Sequence, residues 1–306
     1  MYTLKLKPAL KDYLWGGRRL VDEYNIKTDL QKVAEAWVLS THKDGPSVVL
    51  NGEHSGKTLT EAIEAFGPEC LGENGKKFTY FPILVKLIDA KDDLSVQVHP
   101  NDEYALRVEG EYGKTEMWYV VDCEQGATLY YGFKHNITKD EFISRIKDNT
   151  ITDVLNKVIV KKGDVFFMEA GTIHAIGSGI LIAEIQQNSN TTYRVSDYGR
   201  LGADGKPRPL HIEKAVEVTN LTPPPIGKDL PKNTLAECDY FKVKVYNTNE
   251  VQNILVDDKS FAALLCLEGE VSFDGVTLIK GDSAFIPANR GEITFSGNAT
   301  IIESRV

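Results

Sequence analysis

The chain has 306 residues, 35 Lys+Arg against 44 Asp+Glu, and a formal net charge of −9. With 42% hydrophobic and 26% charged residues its composition is that of an ordinary globular protein, which excludes a largely disordered chain. The acidic balance argues against a general nucleic-acid binder, whose phosphate-backbone affinity rests on clustered Lys and Arg, but a small phosphorylated ligand needs only a few local cations. No apolar run approaches the roughly 18–20 residues of a membrane span. The opening MYTLKLKPALKDY has no apolar signal core, so secretion is not expected either. Cys70, Cys123, Cys238 and Cys266 are scattered and form no CxxC pair, and read as reduced thiols of a cytoplasmic protein.

Along the chain, the first helix signal is at 59–65, where Thr58 stands as an N-cap with Glu61 following. In Ser95-Val96-Gln97-Val98-His99-Pro100 polar and apolar residues alternate, so a strand would turn Ser95, Gln97 and His99 to one face and both valines to the other. A short helix is expected over 101–110. Thr138 and Glu141 form a capping-box pattern for a helix over 138–149, with Phe142, Ile143 and Ile146 as its apolar face, and 151–156 reads as a second short helix. Short strands follow at 157–161, 164–168 and 180–185, and again at 240–246, 262–267 and 276–279. Their spacing of about ten residues with turn signals between predicts an all-β sandwich or barrel.

The Pro-rich stretch 219–233 (TNLTPPPIGKDLPKN) divides these two groups, because four prolines in fifteen residues suit neither a helix nor a central strand. The expected organisation is a domain over 1–220 with a small helical insertion at 138–156, a linker over 221–234, and a second domain over 235–306. All six histidines precede the linker, which places the chemistry in the N-terminal unit. An internal echo connects the two. Gly163-Asp164 precedes the apolar VFFM and, eleven residues after the glycine, His174; Gly281-Asp282 precedes SAFI and, at the same distance, Glu292. The echo has the form of the second half-motif of a cupin, and the predicted fold class is mainly β: two cupin-type jelly-roll barrels, the second without metal ligands.

Buried polar groups need partners, since an unsatisfied one costs about 1–3 kcal/mol. A metal held by His99, Glu116 and His174, with Gln97 as a neutral oxygen ligand, would supply them for the polar strand face. Two imidazoles and a carboxylate suit Zn²⁺ with a position left for water or substrate, and the same set suits Fe(II) or Mn(II). His42, His54, His135 and His211 lie in polar, loop-like contexts and read as surface residues.

Leu14-Trp15-Gly16-Gly17, AEAWVLS (34–40), GPSV (45–48), FPILVKLI (81–88), DDLSVQVHPND (92–102), GKTEMWY (113–119), AGTIHA (170–175) and EIQQNSNTTYRVSDYGR (184–200) together resemble the type I mannose-6-phosphate isomerases in their short bacterial form. The resemblance implies a cupin enzyme that interconverts mannose 6-phosphate and fructose 6-phosphate through a cis-enediol, with one Zn²⁺ per chain. It implies His99, Glu116 and His174 as zinc ligands, with Gln97 a fourth in longer relatives, and Arg194 as the catalytic arginine. It further implies Lys114 and Glu184 as pocket groups that are candidate proton carriers, and Ser95 as a phosphate contact. The long form carries a lysine after the arginine; here that segment reads Ser-Asp-Tyr-Gly-Arg, and Arg200 is the candidate cation for the phosphate. The expected partner is a small sugar phosphate, with no nucleic acid and no membrane. A non-catalytic sugar-binding cupin and an Fe(II) cupin oxygenase are the alternatives.

Overall fold

The computed structural model describes residues 1–24, 26–202, 205–225 and 229–306, so residues 226–228 of the predicted linker lie outside the described residues. The fold is mainly β, as expected, and its sheets are antiparallel throughout. No described helix is long and apolar enough to cross a membrane.

A six-stranded sheet runs Val165–Met168, Glu116–Cys123, Ile180–Gln187, Ile83–Ala90, Glu35–Leu39, Ala9–Lys11 in spatial order. A five-stranded sheet runs Tyr193–Ser196, Val96–Val98, His174–Ile176, Thr128–Phe133, Leu155–Ile159. Ile88, Trp118 and Ile182 from the first, Leu129 and Ile176 from the second, and Trp15 from a turn meet in one buried cluster, which closes the N-terminal barrel. In the C-terminal unit, Ala262–Phe273, Ser283–Ile286, Ser296–Arg305 and Lys242–Asn247 face the pair Asn253–Val256 and Gly291–Thr294 across a second apolar core.

The duplication anticipated from the two Gly-Asp pairs is visible bond by bond. Gly163 N–H donates to Val120 O and Gly281 N–H to Cys266 O, each at 2.8 Å. The Asp164 carboxylate accepts from Lys161 N–H at 2.9 Å, and that of Asp282 from Ile279 N–H at 3.1 Å. Both glycines have φ of 91°, a left-handed value that a side chain rarely tolerates.

The strand Leu4–Lys7, inside the predicted 1–220 unit, hydrogen-bonds to Ser283–Ile286 of the C-terminal sheet, and Val48–Val49 pairs on its other side. The linker therefore does not separate the strands cleanly. The six-stranded sheet and this C-terminal sheet also pack face to face, with Leu4, Val38, Val85, Met117, Ala263, Phe285 and Ile302 in one buried cluster.

The helix signals hold where a cap specifies them. Thr58 and Glu61 make both halves of a capping box at Leu59–Phe66, Asn101 caps Asp102–Val108, and Thr138 accepts from Glu141 N–H to start Lys139–Lys147. The expected second helix over 151–156 is a single 3-10 turn, Ile151–Val154, that gives way directly to the strand Leu155–Ile159. The helix Ile212–Val218 was not anticipated; its β-branched residues are weak helix formers, and packing against Tyr193–Ser196 supplies what propensity does not.

Because Leu4 is fully buried between the two barrels, Leu4→Ala is expected to cost about 2–5 kcal/mol, read as a lower urea midpoint. A loss below 1 kcal/mol would show that the first strand is dispensable to the packing of the barrels.

Candidate metal centre

The site lies between two cross-strand rows. On the five-stranded sheet the register places Arg194, Gln97, His174 and Tyr131 side by side. On the six-stranded sheet it places Trp118, Glu184, Lys86 and Trp37 side by side. The predicted alternation is present: Ser95 and Gln97 line the cavity between the rows, whereas Val96 and Val98 are buried on the other side with Phe142 and Ile146.

Three close backbone approaches bring the candidate ligands together. His99 precedes Pro100, which restricts it to extended backbone, and its carbonyl accepts from Gly171 N–H at 2.8 Å. Gly171 has φ of 90° and no room for a Cβ, which would lie 2.8 Å from Val218 O. This turn delivers His174. Lys114 N–H donates to Pro100 O at 3.0 Å, and a Cβ on Gly113 would lie 2.5 Å from the backbone of Asn101. That contact starts the extended segment on which Lys114, Glu116 and Trp118 share one face.

His99, Glu116 and His174 are buried, and one ligand atom from each lies within 4.8 Å of the other two. His99 Nδ1 is 2.9 Å from Thr191 O and His174 Nδ1 is 2.8 Å from Thr172 O. A carbonyl can only accept, so each Nδ1 carries the hydrogen and each Nε2 presents a lone pair inward. His174 Nε2 is 3.3 Å from Glu116 Oε1, an oxygen with no hydrogen-bond partner among the described residues, and His99 Nε2 is 3.6 Å from Glu116 Oε2. Two oriented lone pairs and a buried carboxylate with an unpartnered oxygen fit a divalent cation. Gln97 reaches His174 Nε2 through its amide nitrogen, at 3.4 Å, and would have to turn its amide over to offer oxygen.

Around this group lies a set of buried ions. Lys114 Nζ bonds to Glu116 Oε2, is 3.1 Å from His99 Nε2 and 3.8 Å from Glu184 Oε1. Glu184 accepts from Lys86 Nζ and from Trp118 Nε1, each at 2.9 Å; Lys86 is also 3.8 Å from Glu35, which accepts from Trp37 Nε1 at 2.7 Å. Burial alone would raise the Glu184 carboxyl, but Lys114 and Lys86 outweigh it and hold the pKa down at about 2. Burial and then the charge of Glu184 push Glu116 up to about 7. Burial would lower Lys86, yet Glu184 and Glu35 keep it raised. Burial, followed by Lys114, lowers His174 to about 4 and His99 well below its ordinary value. Both imidazoles are therefore neutral.

The cavity has a volume of about 300 Å³, and Ser95, Gln97, Lys114, Glu184 and Arg194 all line it. Arg200 does not. It lines a neighbouring pocket with Asp93 and Tyr198, and the cation that faces both spaces is Arg208. Sequence reasoning also missed Lys86, Glu35, Tyr13 and Trp15, which line the same cavity. For Glu35 and Lys86 a signal existed: Glu35 is the lone charge of the strand Glu35–Leu39, and Lys86 sits among apolar residues in Ile83–Ala90, whose one other charge is Asp89. Two histidines expected at the surface are buried instead. His42 sits edge-on to Trp37 and His54 packs against Tyr2 and Phe66. Aromatic neighbours distant in sequence cover these rings, while His135 is exposed and His211 half-buried.

Fold and site together define a metal-binding cupin with a sugar-sized, charge-lined cavity. Residues 3–126 match the family description "Phosphomannose isomerase type I, catalytic domain", and residues 231–306 match "Mannose-6-phosphate isomerase, cupin domain". The chain is 41% identical to mannose-6-phosphate isomerase ManA of Bacillus subtilis, over 99% of this chain and 98% of that one. It is 36% identical to the mannose-6-phosphate isomerase of Streptococcus mutans, over 98% and 97%. The crystal structure of the Bacillus subtilis mannose 6-phosphate isomerase superposes with a TM-score of 0.88 at 35% identity over the whole of both chains. The chain belongs to the type I mannose-6-phosphate isomerase family.

Two expectations follow from the ligand geometry. Glu116→Ala or His174→Ala should leave the purified protein without its stoichiometric divalent metal, measured by elemental analysis, whereas His135→Ala should not. The second concerns pH. Just below pH 6.5 the unfolded chain protonates both imidazoles while burial keeps them neutral in the folded chain, and Glu116, raised to about 7, holds a proton only when folded. Two imidazoles against one carboxyl leave the unfolded state with more protons bound, so the three groups make stability rise with pH, and that contribution is lost as pH falls below 6.5. Urea unfolding of metal-free protein checks this: Glu116→Gln should steepen the slope.

Proposed function

We propose that the chain interconverts mannose 6-phosphate and fructose 6-phosphate, with one Zn²⁺ held by His99, Glu116 and His174. The observation that carries this reading is the convergence of two oriented imidazole lone pairs and a buried carboxylate beside a cavity lined by Lys114, Glu184 and Arg194, with Lys114 and Gln97 touching both the ligands and the cavity. Moving an aldose to a ketose takes a proton from carbon 2 and returns one to carbon 1 through a cis-enediol. When bound, the metal supplies Lewis-acid stabilisation of the charge that builds on the sugar oxygens.

The chain's own groups divide the remaining work. Both Glu184 oxygens are engaged, by Lys86 and Trp118, and its low pKa makes it a weak base, so it serves to orient the two lysines. Lys114 lines the cavity beside the metal ligands and is the better placed of the two candidate proton carriers. A positioned acid–base group contributes typically 10²–10⁴-fold. Arg194 is next to Gln97, two strands from His174, and its buried Nε has no hydrogen-bond partner among the described residues. A fixed guanidinium there stabilises the enediolate oxygens. Ser95 lines the wall where the phosphate end of the sugar would lie. The four cysteines are free thiols, which supports a cytoplasmic location.

A coupled assay of mannose 6-phosphate conversion tests the activity. Chelation should abolish turnover and Zn²⁺ should restore it; full activity in demetallated protein would defeat the metal assignment, and metal-dependent oxygen uptake would favour an oxygenase. Arg194→Ala should lower kcat by about 10²–10³-fold with bound metal still stoichiometric, and loss of the metal would show that the arginine has a different role.

A further inference from the structure

Four cations line the catalytic cavity: Lys86, Lys114, Arg194 and Arg208. The two lysines are bound to carboxylates on the barrel floor. Arg194 donates from Nη1 to Pro209 O at 3.1 Å, and its backbone N–H donates to His211 Nδ1 at 3.0 Å, so it also anchors the segment that carries Arg208. Arg208 is held differently. Its Nε donates to Asp197 Oδ2 at 2.7 Å and its Nη2 to Asp197 Oδ1 at 2.6 Å, a two-pronged contact with a carboxylate that is only 6% exposed. That contact uses two of the five N–H groups of a guanidinium and leaves three, including both on Nη1, with no partner among the described residues.

The local sequence stiffens this arrangement. Lys206-Pro207-Arg208-Pro209 places a proline on each side of the arginine. Pro fixes its own φ and restricts the residue before it to extended backbone, so Arg208 loses little conformational freedom when a ligand binds. Pro207 bridges to Leu201, and Pro209 is held by Arg194, so both flanks are tied to the body of the protein.

Arg200, the sequence candidate, is spent elsewhere. Its Nη2 is 2.5 Å from Asp197 Oδ1, its Nη1 donates to Asp93 O, its Nε donates to Asp197 O at 3.4 Å, and its plane packs on Tyr198. Asp197 pairs with two guanidiniums, Arg200 and Arg208, and Arg194 lines the same cavity as Arg208, a cluster of cations in a chain of net charge −9. The nearby Asp93 carboxylate is turned to Ser178 N–H, at 2.7 Å. A phosphomonoester carries about −1.5 to −2 at neutral pH, so these cations match it in sign.

We propose that Arg208, held in place by Asp197, is the guanidinium that receives the phosphate of the substrate and sets the preference for phosphorylated over free sugars. Asp197 is the positioning residue. This assignment rests on the isomerase reading for its substrate, and on geometry alone for its ligand class.

The test uses metal-loaded enzyme. Hydrogen bonds to a charged group are worth about 1.5–3 kcal/mol, so Arg208→Ala should raise KM for mannose 6-phosphate by about 10–100-fold, with a much smaller change in kcat. The ratio of kcat/KM for mannose 6-phosphate to that for mannose should fall by a similar factor. Binding of inorganic phosphate, measured by calorimetry, should weaken in parallel. Arg208→Lys keeps the charge without the fork and should fall between wild type and Arg208→Ala. Asp197→Asn should raise KM in the wild-type background but add little in the Arg208→Ala background, the signature of a residue acting through Arg208. Equal phosphate affinity in wild type and both Arg208 variants, or a selective loss in Arg200→Ala instead, overturns the assignment. The calorimetry also keeps the two readings apart. A wild-type protein that binds phosphate through Arg208 without converting mannose 6-phosphate would refute the isomerase and support the subsite.

Discussion

Five buried charges alternate in sign across the floor of the first barrel: Glu35, Lys86, Glu184, Lys114 and Glu116. None is more than 8% exposed. Taking a single ion out of water costs several kcal/mol, and removing one member of a buried pair leaves an uncompensated charge that costs about 3–5 kcal/mol. The row is tenable because each member touches an opposite charge, and because Trp37 donates to Glu35 Oε2, the oxygen that faces Lys86, and Trp118 to the second oxygen of Glu184. Three carboxylates against two ammoniums leave one negative charge over. The surplus sits at the end where the two imidazoles present their lone pairs, so the same arrangement that lets the charges be buried also sets the sign of what binds there.

The second barrel shows what the fold does without that constraint. The paired Gly-Asp turns align Val120 with Cys266, which puts Ala262 and Leu264 where the first barrel has Glu116 and Trp118. Apolar side chains fill the interior, and Glu292, at the position that corresponds to His174, faces solvent. One acid persists: Glu303 occupies the place of Glu184, but its partners are Arg305 and Tyr246, at 2.7 and 2.8 Å. With its interior filled, this barrel has one face free to pack, and it uses that face to cover the back of the catalytic sheet.

Much of this was legible in the sequence for local reasons. Alternation over residues 95–99 settled which side chains share a face, side-chain caps at Thr58 and Thr138 settled two helix starts, and the two Gly-Asp turns exposed the duplication. The family motifs, not the local pattern, supplied the roles of Lys114, Glu184 and Arg194. What escaped depends on register between distant strands. Nothing near Lys86 in sequence says that Glu184 and Trp37 lie beside it, and nothing near His42 or His54 says that aromatic rings cover them. Arg200 was singled out because it ends the segment that stands where long relatives carry a lysine; in the fold it turns to Asp93 and Asp197, and Arg208, between two prolines, lines the cavity.

The pairing of Leu4–Lys7 with Ser283–Ile286 joins the start of the chain to a strand some twenty residues from its end. At typical synthesis rates of about 5–20 residues/s, the first of these two strands waits roughly 15–60 s for the edge it will join. Throughout that interval Leu4 and Leu6 have only N-terminal neighbours such as Val38 and Val49, so their packing against Phe285 and Ile302 is among the last contacts that translation makes possible.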